Sequence, residues 1–215
     1  MKYIIEMEQL HKDEERKQLI TLCRKYNINN FTINNDNSIN VYENVNLKNM
    51  KLIKIPIKFN YISGNFDCSA NQLKSLSNSP ISIKGDFNCS FNELSSLQYA
   101  PNKVEGNFIC KNNHIYDLKY LNCVIYKNLD ISNNDLISFD FFPLLYQDFI
   151  CNNNPIYPLW YCFQDKTKIE LFNNSNIINN RTINITNFIS FLKEINKTKY
   201  PSLEQSLRKH WRIVK

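Results

Sequence analysis

The sequence is poor in glycine, alanine and histidine, and it contains no long apolar run. Its 215 residues include three glycines and three histidines, and the two alanines are Ala70 and Ala100. No stretch approaches the roughly 18 apolar residues that a membrane-spanning helix needs, so we expect no transmembrane segment. Residues 1–17 alternate quickly between acidic and basic side chains and lack both an apolar core and a small-residue cleavage site. We therefore expect no signal peptide.

The seven cysteines are odd in number and form no dense local cluster. Secreted disulfide-rich domains usually carry an even number of closely spaced cysteines, so this pattern favours reduced thiols in the cytoplasm. The three histidines, His11, His114 and His210, have no neighbours typical of a Cys-His or Ser-His pair. We expect neither an enzyme nor a bound cofactor or metal.

The net charge of +6 is unevenly distributed along the chain. Residues 1–63 hold 10 Lys and Arg against 7 Asp and Glu, and residues 64–161 hold 6 against 9. Residues 162–215 hold 10 against 4. The middle of the chain is therefore mildly acidic, and the basic character belongs to the two ends.

A repeat of 21 residues occupies this acidic middle. Residues 64–73, 85–94 and 106–115 read GNFDCSANQL, GDFNCSFNEL and GNFICKNNHI, and two weaker copies follow at spacings of 21 and 20. All three glycines share one column, and an imperfect copy with Met50 in the asparagine column precedes the five. The five repeating columns are Phe66, Phe87, Phe108, Leu129 and Phe149; Cys68, Cys89, Cys110, Ile131 and Cys151; Asn71, Asn92, Asn113, Asn134 and Asn154; Leu73, Leu94, Ile115, Leu136 and Ile156; and Leu76, Leu97, Leu118, Phe139 and Leu159.

Such a period predicts a solenoid, because a single copy cannot bury its own apolar face. We expect each copy to form one short strand, a turn at the asparagine, and an irregular or short helical return segment. Strand alternation over residues 83–89 would point Ile83, Phe87 and Cys89 inward, with Gly85 giving room where neighbours crowd. The asparagine carboxamide is expected to hydrogen-bond the backbone of its own copy and of the next.

The pattern F-x-C-x-x-N-x-L resembles the core of leucine-rich repeats. The longer unit G-(D/N)-F-x-C-S-x-N-x-L-x-S-L resembles the 21-residue leucine-rich repeats found in bacteriophage, other viral and bacterial proteins, in which a stretch like NFTINNDNSINV leads into a degenerate copy. The resemblance covers roughly residues 27–160, and it departs where Lys127 and Gln147 replace glycine and Ile131 replaces cysteine. It implies a non-catalytic binding scaffold and carries no functional residues with it.

Three segments follow from this interpretation. Residues 1–42 are expected to form an N-terminal helix (3–25) and a β-hairpin (31–41), and residues 43–161 a leucine-rich-repeat solenoid of about six copies with a parallel sheet on one face. Residues 162–215 are expected to form a basic C-terminal cap of two short helices, TNFISFLKEIN and SLEQSLRKHWRIV, separated by Pro201.

The cysteine column has two interpretations, a ladder of metal or redox sites and a wall of the core. Metal sites favour short paired spacings such as C-x-x-C, whereas these cysteines recur every 21 residues at an inward strand position. Ile131 takes the place of cysteine in one copy. Because free cysteine behaves as a small buried hydrophobe, we interpret this column as packing.

The outward columns of the strands are the candidate binding surface. Two interpretations stay open, a solvated polar face and a docking face for a protein partner. Amide and carboxylate groups suit a basic protein better than nucleic acid, whose phosphates they would repel. The candidate residues are Asn65, Asp67, Asp86, Asn88, Asn107, Ile109, Lys111, His114, Asn128, Asp130, Asp148 and Ile150.

Two further functions are considered as alternatives. The protein could be a virion-associated or assembly component held by many weak contacts, located in the host cytoplasm or the virion. The basic C-terminal tail could instead contact nucleic acid, although aromatic residues are sparse there and no known nucleic-acid motif occurs. The basic side chains of this tail are Lys193, Lys197, Lys199, Arg208, Lys209, Arg212 and Lys215.

Overall fold

The repeat forms a β-solenoid of about five turns, in which parallel strands stack about 21 residues apart. The computed structural model describes residues 2–145, 147–179, 181–197 and 203–214, with side chains for these residues except 2–12, 203 and 204. The elements are α1 (Lys2–Lys25), β1 (Phe31–Ile33), β2 (Ile39–Val41), β3 (Val45–Asn46), β4 (Phe59–Ile62), β5 (Phe66–Asp67), β6 (Ser82–Ile83), β7 (Phe87–Asn88), β8 (Lys103–Val104), β9 (Phe108–Ile109), β10 (Val124–Ile125), β11 (Leu129–Asp130), β12 (Leu144–Leu145), β13 (Phe149–Ile150), α2 (Tyr157–Phe163), a 3-10 helix (Lys166–Lys168), α3 (Ile169–Asn174), β14 (Ile178–Asn179), β15 (Thr182–Asn184), α4 (Ile185–Glu194), α5 (Leu203–Leu207) and β16 (Arg212–Val214).

The strands form two sheets that run along the solenoid, and a small third sheet. Sheet A has the order β1-β2-β4-β6-β8-β10-β12, and sheet B has the order β13-β11-β9-β7-β5-β3. Both are parallel except for the hairpin that β1 and β2 form at the start of sheet A, which is the hairpin predicted for residues 31–41. The third sheet has the order β14-β15-β16.

The prediction of one strand per repeat and a sheet on one face was wrong. Ser82–Ile83 belongs to sheet A and Phe87–Asn88 to sheet B, with a bend at Lys84 and Gly85 between them. The inward positions are nevertheless the predicted ones, since Ile83, Phe87 and Cys89 are all buried. A turn of only 21 residues must wrap around its own core, and the bend lets one segment supply two walls.

Apolar side chains of successive turns stack on one another inside the solenoid. The rings of Phe66 and Phe87 lie 5.8 Å apart and those of Phe87 and Phe108 lie 4.9 Å apart. Leu129 interrupts this stack, and Phe149 begins a second aromatic group, with its ring 5.1 Å from that of Trp160. The repeating phenylalanine column therefore continues into the C-terminal segment.

The asparagine column forms a buried ladder of hydrogen bonds. The Asn92 amide donates to the carbonyls of Cys89 (3.0 Å) and Ser90 (3.2 Å) in its own turn and to that of Cys68 (3.1 Å) in the preceding turn. Its Oδ1 accepts the N–H of Leu73 in the same preceding turn, at 3.0 Å. Asn113, Asn134 and Asn154 repeat this pattern. The predicted role is confirmed, but the neighbour is the preceding turn, not the next.

A left-handed backbone conformation recurs once in every turn, two residues after the position of the cysteine column. The residue there has a positive φ in every turn from the imperfect copy onward: Asn49, Ala70, Phe91, Asn112, Asn133 and Asn153, with φ between 53° and 57°. Side chains with a Cβ adopt this left-handed conformation at a cost, and asparagine tolerates it best after glycine. Phe91 and Ala70 are therefore unfavourable local choices at this position.

The segments at both ends pack on the solenoid core. Leu19, Leu22 and Cys23 of α1 contact the core at its start. At the other end, the Lys166 ammonium donates to the carbonyls of Leu145 and Gln147, at 2.8 and 2.6 Å, and the Trp211 indole donates to that of Pro155 at 2.8 Å.

The first predicted C-terminal helix is α4, but the second ends at Leu207. The residues after it form β16, because their backbone pairs in parallel with β15 and places Ile213 opposite Ile183. Pro201, the predicted break between the helices, lies outside the described residues.

We expect Asn113→Asp to lower the free energy of unfolding by about 2–4 kcal/mol, because the carboxylate cannot donate to the carbonyls of Cys89 and Cys110. Asn112→Asp is the matched control, since it makes the same chemical change one residue away in a less buried side chain with positive φ. That control should stay within about 0.5 kcal/mol of the parent protein. Urea unfolding measures both, and equal losses would contradict the ladder.

We expect Phe91→Asn to raise the free energy of unfolding by about 1 kcal/mol, because asparagine relieves the cost of a φ of 55°. The Phe91 ring is 53% exposed, so its removal sacrifices little packing. Phe91→Ala also removes the ring but lacks asparagine's tolerance of the left-handed conformation, so it should leave stability nearly unchanged. A gain of the same size for the alanine variant in thermal unfolding would assign the effect to the ring instead of the backbone.

Candidate functional site

Sheet B carries ten of the twelve predicted binding residues in two columns. One column precedes the strands and the other is the outward-facing second residue of each strand. We call the first the ladder column: Asn44, Asn65, Asp86, Asn107, Asn128 and Asp148. We call the second the outer column: Asn46, Asp67, Asn88, Ile109, Asp130 and Ile150.

Side-chain oxygens of the ladder column bond one turn to the next. Asn65 Oδ1 accepts the N–H of Asp86 at 2.8 Å, and Asp86 Oδ1 accepts the N–H of Asn107 at 2.7 Å. The same bond joins Asn44 to Asn65 (2.7 Å), Asn107 to Asn128 (3.3 Å) and Asn128 to Asp148 (3.0 Å). One oxygen of each of these side chains except Asp148 is thus engaged in holding the turns together.

The glycine column allows successive turns to approach closely enough for the hydrogen bonds of the ladder column. The Gly85 N–H donates to the Gly64 carbonyl and the Gly106 N–H to the Gly85 carbonyl, both at 3.0 Å. A Cβ on Gly85 would lie 2.6 Å from the Gly64 oxygen and would collide with Asn65 Oδ1. Lys127 carries a Cβ in this column, and its backbone nitrogen lies 3.3 Å from the Gly106 carbonyl oxygen, farther than in the glycine pairs.

The outer column lies half-exposed on the surface, apart from the more exposed Asn46. The register places each member beside its counterpart in the neighbouring strands. Such strands are about 4.8 Å apart, so the column is a continuous row. Where the residue is Asn or Asp, its Oδ1 accepts the N–H two residues on, as from Asp67 to Ser69 (2.9 Å), Asn88 to Ser90 (3.1 Å) and Asp130 to Ser132 (3.0 Å).

Two members of the outer column break this pattern. Ile109 and Ile150 have no side-chain acceptor, and they lie on either side of Asp130 in the row. Each presents a branched apolar side chain in a row that is otherwise amide or carboxylate. The outer column is therefore a mixed surface in which apolar, amide and acidic groups alternate at strand spacing.

The remaining two predicted residues lie apart from these columns. Lys111 is half-buried just after β9. His114 follows the asparagine turn and is exposed, with its Nδ1 3.6 Å from Asp135 Oδ2 of the next turn. The structure therefore does not place His114 on the strand face.

Sequence reasoning missed Asn44 and Asn46, which begin the two columns in the imperfect copy. Asn46 Oδ1 accepts the N–H of Lys48 at 3.0 Å, as its counterparts do in later turns. The signal was available, because both residues lie 21 positions before Asn65 and Asp67. Met50 stands in this copy where later copies have the buried turn asparagine, so the copy matches the repeat less well.

The cysteine column lies in the core, as expected from its inward position. Cys68, Cys89, Cys110 and Cys151 are all buried, and burial raises the pKa of each thiol well above its ordinary value. Burial also raises the pKa of Cys23 to about 11 and that of Cys162 to about 12. Across the described part of the chain, no three His, Cys, Asp or Glu side chains group closely enough to hold a metal ion.

Comparisons with known proteins add no family. No protein-family model, curated protein or solved structure matches the chain. In the described ranges, no helix combines the length and apolar character needed to cross a membrane.

We expect Gly85→Ala to lower the free energy of unfolding by about 1–3 kcal/mol, because its Cβ would force adjacent turns apart at the ladder column. Lys127→Ala is the matched control, because this position in the same column already carries a Cβ and its side chain is exposed. It should change stability by less than about 0.5 kcal/mol. Equal effects in urea unfolding would show that the column does not require close approach.

Proposed function

We propose that the chain is a leucine-rich-repeat protein and a non-catalytic scaffold that binds a protein partner through sheet B. Support for the repeat type comes from the F-x-C-x-x-N-x-L strand and turn, whose asparagine bonds the backbone of two turns. A stack of near-identical turns presents the same side-chain position repeatedly along one surface, which suits recognition of an extended partner surface.

The observation that carries the proposal is the outer column, and in particular the alternation around Asp130. Ile109, Asp130 and Ile150 form an apolar–acidic–apolar row at the exposed surface of adjacent strands. Interfaces combine partly exposed apolar side chains with a few directional polar groups, and this row offers both. The two isoleucines would give a partner apolar contacts that a column of Asn and Asp alone does not offer.

The charge of the surface favours a basic partner. Sheet B presents Asp67 and Asp130 in the outer column and Asp148 at the end of the ladder column. Each outer-column aspartate uses Oδ1 in its turn, which leaves Oδ2 available to lysine or arginine of a partner. Lys111 is the one lysine or arginine among the twelve candidates.

The nucleic-acid alternative has weaker support. Trp211, the tryptophan of the basic tail, is 5% exposed and donates its indole N–H to Pro155, so it is not placed to stack on a base. Lys193, Lys197 and Lys209 are exposed, which fits a solvated surface equally well. A virion-associated role would use the same sheet B surface, and a cytoplasmic location remains a prediction.

The test combines a photocrosslinker with a variant that preserves the fold. A photoreactive amino acid at Asn88, in the outer column, should capture a specific host or assembly protein in cells. The double variant Ile109→Asn/Ile150→Asn should abolish that capture, because it removes the apolar groups. It should leave thermal stability unchanged or higher, because asparagine restores the acceptor that Asn88 offers to Ser90.

The control is placed on another surface of the solenoid. Ile81 is 53% exposed and precedes a strand of sheet A, so Ile81→Asn makes the same chemical change away from sheet B. This variant should not affect capture by the crosslinker at Asn88. Loss of capture in the control, or unchanged capture in the double variant, would contradict a role for the outer column.

A further inference from the structure

A groove separates α1 from the free edge of sheet A, and none of its lining residues belongs to the outer column. It has a volume of about 590 Å³ and is lined by α1, by the segment that leads into β1 and by β1 itself. From α1 come Arg16, Ile20 and Arg24, which lie four residues apart and hence on one helix face. The opposite wall and floor are Ile28, Asn29, Phe31, Thr32 and Ile33.

The backbone along this groove is an unpaired strand edge. β1 is the first strand of sheet A and pairs with β2 alone. Asn30 accepts from Tyr42 and Asn34 donates to Ser38, both at 2.8 Å, so alternate residues of β1 face β2. The N–H and C=O groups of Phe31 and Ile33 therefore point away from β2, toward the open edge.

This edge lacks most of the features that block pairing with another strand. Phe31, Thr32 and Ile33 include no lysine, no proline and no bulge, and the strand's shortness, three residues, is the one such feature that it has. Glu43 holds the start of the strand in place, because its Oε1 accepts the N–H groups of Asn29 (2.6 Å) and Asn30 (3.0 Å). The start of the edge is thus held in place, and the outward backbone groups of Phe31 and Ile33 are free to pair with a further strand.

Two arginines, Arg16 and Arg24, line the helix side of the groove, and the Glu43 carboxylate lies at the backbone of Asn29 on the opposite side. Arg16 and Arg24 are both exposed, and in the described part of the chain neither guanidinium forms a hydrogen bond or an ion pair. Their eight-residue separation corresponds to a rise of about 12 Å along the helix. In an extended peptide, side chains four residues apart lie on one face and about 13 Å from each other. Two carboxylates at that spacing match the two guanidinium groups.

We propose that this groove binds an extended acidic peptide segment, which adds as a strand to the free edge of β1 and places its carboxylates on Arg16 and Arg24. The backbone of β1 supplies the main-chain hydrogen bonds, as in other cases of strand addition to a sheet edge. The half-buried Phe31 and Ile33 supply apolar contacts with alternate side chains. The site is independent of sheet B and of the function proposed for it.

The probe is a fluorescently labelled nine-residue peptide of alternating valine and glutamate, which has glutamates both two and four residues apart. Fluorescence anisotropy at 0.15 M salt should show saturable binding with a Kd on the order of 100 μM. The same peptide with lysine in place of glutamate should not bind. Absence of saturation by the glutamate peptide up to about 2 mM would overturn the proposal.

The matched variants lie on adjacent faces of one helix. Arg16→Glu/Arg24→Glu should weaken binding roughly tenfold or more. Lys17→Glu/Lys25→Glu makes the same charge change on side chains that line a different groove, and it should change the Kd by less than about twofold because salt screens distant charges. Equal weakening by the two pairs would reduce the effect to overall charge and overturn the site. Melting temperatures verify that all four side chains are dispensable for folding.

Strand pairing is tested separately from charge. Two versions of the peptide are N-methylated, one at every valine and one at every glutamate, so that each lacks the N–H donors of one edge. At least one version should lose binding. Undiminished binding of both would overturn strand addition.

Other occupants give distinct outcomes. Displacement of the peptide by a 12-nucleotide oligothymidine, with the same sensitivity to Arg16→Glu/Arg24→Glu, would assign the groove to a polyanion instead. A dimer in sedimentation velocity that the same double variant dissociates would assign it to a second copy of the chain. Either result overturns the acidic-peptide proposal.

Discussion

Each turn of the solenoid makes its backbone hydrogen bonds mainly with the turns on either side, so no turn is complete by itself. Where strands lie side by side, N–H and carbonyl groups meet directly. The chain must also curve away from sheet B, and there the backbone would lose its partners inside the protein. The buried asparagine solves this problem, because Asn92 satisfies three carbonyls and one N–H at the curve. Unsatisfied buried groups are costly, which explains a polar residue in the core.

The same requirement shapes the last turn, which has no following repeat. Basic and amide side chains of the C-terminal segment take over the role of a neighbouring backbone. Lys166 donates to two carbonyls at the corner between the sheets, and the Asn173 amide donates to the Phe139 carbonyl at 3.2 Å. The aromatic rings of Trp160 and Phe163 lie against Phe139 and cover the apolar end. The positive charge of this segment is thus partly structural.

Periodicity in the sequence was enough to predict the solenoid, the inward columns and the asparagine ladder, because these depend on contacts that repeat every 21 residues. The second sheet was missed, since alternation over residues 83–89 is the same for a straight strand and for two short strands joined by a bend. The ladder column was mistaken for free surface for a related reason. Asn65 is exposed, yet its oxygen bonds Asp86 of the next turn, and only three-dimensional stacking reveals that contact.

Separation of the ladder column from the outer column changes where function should be sought. In the ladder column the repeated Asn or Asp has a structural reason, because Oδ1 of every member except Asp148 accepts an N–H of the next turn. In the outer column, conformity to Asn or Asp also has a reason, because these residues accept an N–H two positions on. Ile109 and Ile150 give up that bond and expose apolar surface. We therefore assign the proposed binding role to these two residues, which depart from the pattern of their column.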